Sequence, residues 1–541
     1  MHRLLTQVDV LHQLAFESNP KDWPSIIRLS RAFFQSTVPL IWRRVDGVQN
    51  LLTLIPAINV KLSQTHPKRV DRMGFRHGKS QDFTRFSLYA PFVKYLEIYG
   101  QDATEYEFSG WRELGQYAKA ASLLPNLVRL TLTASFPIQS QQQLMWIRTF
   151  LAPAILEIQV VRTASEAPLI HLPTASSLLK HVSTVASGVQ RLSLFIEHED
   201  YYRPEEDADV IGFWEPLLQC CLGNLTALQE LTCTEAVLDP EVFSVMAQLP
   251  NLRVLNIHAI GGAYSVWAAL DRKCVPPNPF PALKHFSMRA SHAADISIVL
   301  HCLAFPNLSS LRLGIEEQPD ADHIIDDPAW EHEVIEPIVE GCPHLNELRI
   351  DFDEAYVYPQ PCDLLASVKN SDAIKSMSKL PLETLYLSSA ALGEIPETPD
   401  AALSYSAQYL MAAWPRVTRI HMPHCVGDFK GLYEFSQLPN LQELTLDLHL
   451  DCWSLQYVGE GLDHLTPGSS PLRVLGASYK TYISSLTLLL YYDRALLHFW
   501  PNLEQISLHL DPDDPDEGYS DILDDIEEVN GAIKSFREAR C

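Results

Sequence analysis

A six-residue phrase of apolar and polar positions, Φ-x-x-Φ-x-Φ with Φ apolar, recurs through most of the chain. It reads Val93/Leu96/Ile98, Leu127/Leu130/Leu132, Ile155/Ile158/Val160, Val189/Leu192/Leu194, Leu228/Leu231/Cys233, Leu252/Leu255/Ile257 and Leu283/Phe286/Met288. It continues as Leu308/Leu311/Leu313, Leu345/Leu348/Ile350, Leu382/Leu385/Leu387, Val417/Ile420/Met422, Leu441/Leu444/Leu446, Leu472/Leu475/Ala477 and Leu503/Ile506/Leu508. The last two apolar positions alternate with polar ones, as a short strand with one buried face requires, and the first arrives from the preceding turn. One such phrase arises by chance in any leucine-rich helix. Fourteen copies predict strands stacked side by side in a parallel sheet.

A proline often stands two residues before the first position (Pro125, Pro153, Pro250, Pro281, Pro306, Pro343, Pro415, Pro439, Pro501). There it ends the previous helix and starts an extended entry into the strand. Successive first positions lie 24 to 39 residues apart, which leaves room for a helix on the outer face. Pro240 to Leu249, for example, places Val242, Phe243, Met246 and Leu249 on one helical face with Asp239 as N-cap. Longer spacings hold acidic insertions such as Glu316 to Asp327. The array over residues 83–510 resembles leucine-rich repeats of the irregular kind, without a regular Asn or Cys at the usual turn position. The expected fold is therefore α/β, a leucine-rich-repeat solenoid with parallel strands inside and helices outside.

Residues 8–46 read as three short helices: Val8 to Phe16, Pro24 to Phe34 and Thr37 to Val45, with Pro24 and Pro39 near helix starts. Their apolar residues, Leu11, Leu14, Ile26, Leu29, Phe33 and Trp42 among them, are more than about 40 residues can bury alone. Asp9 to Ala15, Trp23 to Phe33 and Leu40-Ile41-Trp42-Arg43-Arg44 resemble a degenerate F-box, although Thr6-Gln7-Val8 stands where the usual Leu-Pro would. Phe83 to Ala90 resembles the junction found in fungal families of F-box proteins with leucine-rich repeats. The resemblance implies a substrate-recognition subunit of an SCF-type ubiquitin ligase: a Skp-type adaptor, and through it a cullin, on Leu11, Leu14, Ile26, Leu29, Phe33 and Trp42, and a protein target on the repeats. An interaction scaffold without a ligase is the alternative. The expected divisions are residues 1–46 as F-box-like helices, 47–82 as basic linker and N-terminal cap, 83–510 as repeats, and 511–541 as acidic linker and closing helix.

Charge sharpens this picture. The net charge of −26 is uneven: residues 1–80 hold 12 basic against 5 acidic residues, and residues 81–541 hold 29 against 62. An acidic body repels phosphate backbones, so no nucleic-acid partner is expected, while the basic head suits an acidic one. Ten cysteines lie scattered without a CxxC pair, which indicates reduced thiols rather than disulfides or a zinc ribbon. Apolar runs are too short to span a bilayer and the first residues lack a signal-peptide stretch. An intracellular protein, cytoplasmic or nuclear, is expected, with no membrane partner.

Catalytic chemistry finds no anchor in the sequence. Gly74-Phe75-Arg76-His77-Gly78-Lys79-Ser80 approaches a phosphate-binding loop, but three residues separate its glycines where the motif has four. Lys61 to Lys79 is expected to be a mobile basic loop instead. His421, His424 and Cys425 lack further ligands nearby, and the acidic insertion lacks calcium-loop spacing. No GxSxG or HExxH appears, so neither enzyme activity nor a cofactor is expected. The target would meet strand residues that flank the buried positions. Arg289, Arg312, Arg349, Tyr386 and Arg419 are the candidates, since arginines and aromatics supply most interface anchors. At the far end Ile522, Ile526, Val529, Ile533 and Phe536 share one face of a helix expected to shield the last repeat.

Overall fold

The computed structural model describes residues 8–62, 70–76, 82–99, 107–120, 122–134, 140–162, 170–197, 215–259, 275–276, 278–290, 293–302, 305–315, 334–352, 376–387, 413–427, 429–450, 467–478, 482–483, 495–508 and 520–540. The acidic stretches Glu316 to Asp327 and Asp511 to Glu517 lie outside them. The chain divides into two compact units, Met1–His258 with Ala269–Ala282, and Ala259–Ala268 with Leu283–Cys541.

In the first unit seven strands form a parallel ladder in chain order: Arg44–Asp46, Tyr95–Glu97, Arg129–Ala134, Glu157–Arg162, Arg191–Leu194, Glu230–Thr234 and Val254–His258. In the second unit eight do the same: His285–Ala290, Ser310–Ile315, Glu347–Phe352, Thr384–Leu387, Arg419–Gly427, Glu443–Leu450, Val474–Ala477 and Gln505–Leu508. Each of the fourteen phrases lies on one of these strands, and its apolar positions are buried except Leu508, which is half-buried. The chain is a leucine-rich-repeat solenoid, with helices such as Pro240–Met246 and Ala293–Cys302 between successive strands.

Two kinds of hydrogen bond fasten one repeat to the next. The carbonyl just after the first apolar position accepts two amides from the following repeat: Lys94 O from Val128 N at 2.8 Å and Arg129 N at 3.0 Å, then Val128 O from Leu156 N at 2.9 Å and Glu157 N at 3.0 Å. An asparagine just before the phrase adds a side-chain bond. Asn126 Nδ2 donates to Pro91 O at 2.8 Å, Asn251 to Thr226 O at 2.9 Å and, in the second unit, Asn440 to Pro415 O at 2.9 Å. Asparagine thus holds the repeats together from the entry to the strand, where Pro-Asn-Leu recurs.

Asp239 caps the Pro240–Met246 helix as expected, accepting from Glu241 N at 2.9 Å and Val242 N at 3.1 Å. Val242, Phe243 and Met246 are buried.

Three expectations need correction. The ladder begins one strand earlier than the phrases do, at Arg44–Asp46, which pairs in register with Tyr95–Glu97. That register puts Trp42, Val45 and Gly47 in the phrase positions, and Gly47 has no side chain to complete the pattern. The third helix is Arg31–Ile41, with Pro39 near its end rather than its start. Ser30 fixes that boundary by accepting from Phe33 N at 3.2 Å, which also stops the second helix, Trp23–Ile26, short of its expected length.

The supposed basic loop contains structure as well. Ile58–Leu62 pairs antiparallel with Val70–Phe75, which pairs in parallel with Glu107–Ser109. Gly74 sits inside this small sheet because a Cβ there would fall 2.4 Å from the Ser109 carbonyl oxygen. It is a strand glycine, not half of a phosphate loop. Residues 63–69 and 77–81 lie outside the described residues.

Candidate protein-binding surfaces

The N-terminal helix Val8–Glu17 packs against Arg31–Ile41. Leu11 is fully buried, whereas Leu14 is 48% exposed, Phe16 57% and Leu29 68%. Six large apolar side chains are exposed among the described residues, and these three fall within a single sixteen-residue stretch. Ile26 and Phe33 are half-buried. Trp42 stands apart from these three: it leads into the first ladder strand and stacks on Tyr89 with ring centroids 4.8 Å apart. Of the six adaptor candidates, Leu14 and Leu29 are the most open, while Leu11 and Trp42 serve packing. Phe16, one residue before that helix ends at Glu17, was not among the expected contacts.

On the strand face of the first unit, Arg129 and Arg191 both donate to Glu157, whose side chain is only 10% exposed. Tyr95 lies beneath two guanidinium groups, Arg43 at 5.7 Å and Arg129 at 5.6 Å from its ring centroid. Burial alone would raise the Glu157 carboxyl, but the bonds and charges of the two arginines outweigh it and hold it below the usual range. Glu97 accepts from Thr133 N at 3.0 Å. Burial, reinforced by Asp46, raises its carboxyl despite bonds from Thr133 and the charge of Arg44.

On the strand face of the second unit, register makes Arg312, Arg349, Tyr386 and His421 successive neighbours on four adjacent strands. The Arg349 guanidinium lies 3.9 Å from the Tyr386 ring centroid, and Tyr386 stacks on His421 at 5.9 Å. Asp351 accepts from Arg349 Nε at 2.7 Å and from Arg312 Nε at 3.0 Å, and His421 Nε2 lies 3.8 Å from Glu443. Gly314, between Arg289 and Asp351 in register, leaves room for the Arg289 stem, whose Cγ would sit 3.1 Å from a Cβ there. Arg289, on the preceding strand His285–Ala290, and Arg419, at the start of the His421 strand, are exposed. The structure therefore unites Arg312, Arg349 and Tyr386 in one row, with Arg289 and Arg419 on flanking positions. The row also includes His421, and Asp351 links two of its members through a register that spacing alone does not reveal.

Among the described residues no three His, Cys, Asp or Glu side chains gather as a metal cage requires, and no helix is long and apolar enough to cross a membrane.

No protein-family model matches the sequence, and no curated protein matches it. Among solved structures 29 chains match. One is from a TLR13–ssRNA13 complex, 14% identical with a TM-score of 0.33, covering 79% of this chain and 43% of that one. Another is from the complex of Rad7 and Elc1 in yeast, 12% identical with a TM-score of 0.29, covering 75% of this chain and 84% of that one. The chain thus spans less than half the length of the first.

Proposed function

We propose that this chain is a recognition subunit without bond chemistry of its own, joining a Skp-type adaptor of an SCF-type ubiquitin ligase to a protein target held on the repeats. The observation that carries the reading is the exposure of Leu14 and Phe16 on the first helix and of Leu29 in the turn after the second, apolar side chains that a purely structural cap would be expected to turn inward. Covering such a half-exposed side chain gains about 1 kcal/mol or more. The basic balance of residues 1–80 suits an acidic adaptor and would speed encounter. The F-box-like order of the segment adds the identity of the partner.

The test is a pull-down of purified Skp-type adaptor by the full chain, set against a Leu14→Asp/Leu29→Asp double variant shown by circular dichroism to keep its fold. Capture by the wild type that the variant loses supports the reading. A wild type that captures nothing leaves a scaffold with no ligase attached, which the packing roles of Leu11 and Trp42 would suit.

A further inference from the structure

We infer that the strand face carrying the arginine row of the second unit recognises an extended acidic segment of a partner protein with two carboxylates about five residues apart. This deepens the reading that the repeats hold a protein target, and rests on it. Arg312 and Arg419 are the two recognition points. The Arg312 side chain is 56% exposed, and its one partner among the described residues is Asp351, reached through Nε. A bond at Nε leaves the outer Nη edge able to take a carboxylate in the two-pronged manner guanidinium favours. Arg419 is exposed and its guanidinium donates to no group among the described residues. Arg419 is in register with Ser310, two residues before Arg312, so three strand steps and that offset together amount to about 16 Å, and an extended chain covers that distance in about five residues.

The ground between them is already set. Arg349 is held by Asp351 on one side and by the Tyr386 ring on the other, so little side-chain freedom remains to be lost when a partner arrives. Asp351 itself shows a carboxylate accommodated between two of these guanidinium groups. A protein segment fits better than a nucleic acid. Tyr386 lies between Arg349 and His421, which leaves its ring without an open face for a base, and the chain's net charge of −26 opposes a polyanion.

The experiment is fluorescence anisotropy with the full chain and a labelled eight-residue peptide bearing aspartates at its second and seventh positions. Saturable binding is expected, weakened about ten-fold by Arg312→Gln or Arg419→Gln, unchanged by Arg253→Gln on the first unit, and absent for the asparagine counterpart. Equal binding of the asparagine peptide overturns the inference, as do Arg312→Gln and Arg419→Gln variants that bind like wild type. Displacement by single-stranded RNA at lower concentration than by unlabelled peptide overturns it in favour of a nucleic acid. Adaptor capture measured on the same preparations separates the two readings. Peptide binding lost with capture retained removes this inference alone, and capture lost removes the receptor reading.

Discussion

At its C-terminal end the chain closes its last strand with side chains from a helix, whereas at its N-terminal end it leaves three large apolar side chains in solvent. The helix Ser520–Arg540 buries Ile526, Val529 and Ile533. Its Asn530 accepts from Ile506 N at 2.7 Å and donates to Ile506 O at 2.9 Å, while Arg537 donates to Leu503 O at 3.2 Å. Asn530 thus gives Ile506 both bonds that another strand would have made, and an exposed edge is the usual route to unwanted pairing. At the other end Leu14, Phe16 and Leu29 remain open. The same need, to finish a stack of repeats, is met at one end by a helix that buries Ile526, Val529 and Ile533 and leaves only Leu523 of its described large apolar side chains exposed, whereas at the other three stay open. That difference is why the N-terminal end is the better place to expect a partner.

The largest effect that would break this contrast comes from putting a charge at each end. Ile533→Asp buries an unpaired carboxylate and should cost about 3–5 kcal/mol, while Leu29→Asp, already in water, should cost no more than about 0.5 kcal/mol. Urea unfolding of both variants checks this. Equal losses would mean that Leu29 packs as a core residue and that the N-terminal end is closed like the other.

A smaller effect sharpens the edge argument. Asn530→Ala leaves both polar groups of Ile506 without their partner and should lower stability by about 1–3 kcal/mol. It should also promote concentration-dependent association, visible by sedimentation velocity, because the strand edge is exposed. A variant that stays monomeric at every concentration would reduce Asn530 to an ordinary hydrogen bond.

These two ends were not equally legible. The closing helix was readable because Ile526, Val529 and Ile533 repeat at helical spacing; the side chains of Ile522 and Phe536 from the same pattern lie outside the described residues. The fourteen phrases likewise carried over to strands, since burial of alternate positions is a local, periodic signal. The strand at Arg44–Asp46 escaped because Gly47 occupies an apolar position, and it was absorbed into a helix that Ser30 and Pro39 in fact shift toward the N-terminus. The Ile58–Leu62 hairpin escaped because basic residues and glycines read as loop, although Gly74 is there for close approach to Ser109. In the candidate site, spacing was enough to place Arg312, Arg349 and Tyr386 on one face. It could not show that Asp351 clasps two of them, which depends on register and side-chain direction together.

The smallest effect asks whether the open end is also the less tightly held one. Glu97 is on the second strand from that end, and burial raises its carboxyl above the usual range. A raised folded value means its favourable contribution is full below the unfolded value, roughly pH 4.3, and is lost as pH rises through the folded value. Two strands further along, Glu157 behaves oppositely. Burial would raise its carboxyl, but Arg129 and Arg191 together depress it, so its contribution is present above roughly pH 4.3 and is lost as pH falls through the folded value. Glu97→Gln should therefore gain stability relative to wild type as pH rises from 4 toward neutrality, and Glu157→Gln should lose it over the same range, each by no more than about 1 kcal/mol. Thermal unfolding across that range checks both signs at once. Parallel curves for the two variants would mean that the carboxylate nearer the open end is as well compensated as the one clasped by two arginines, and that the loosening toward the N-terminal end stops at the exposed helices.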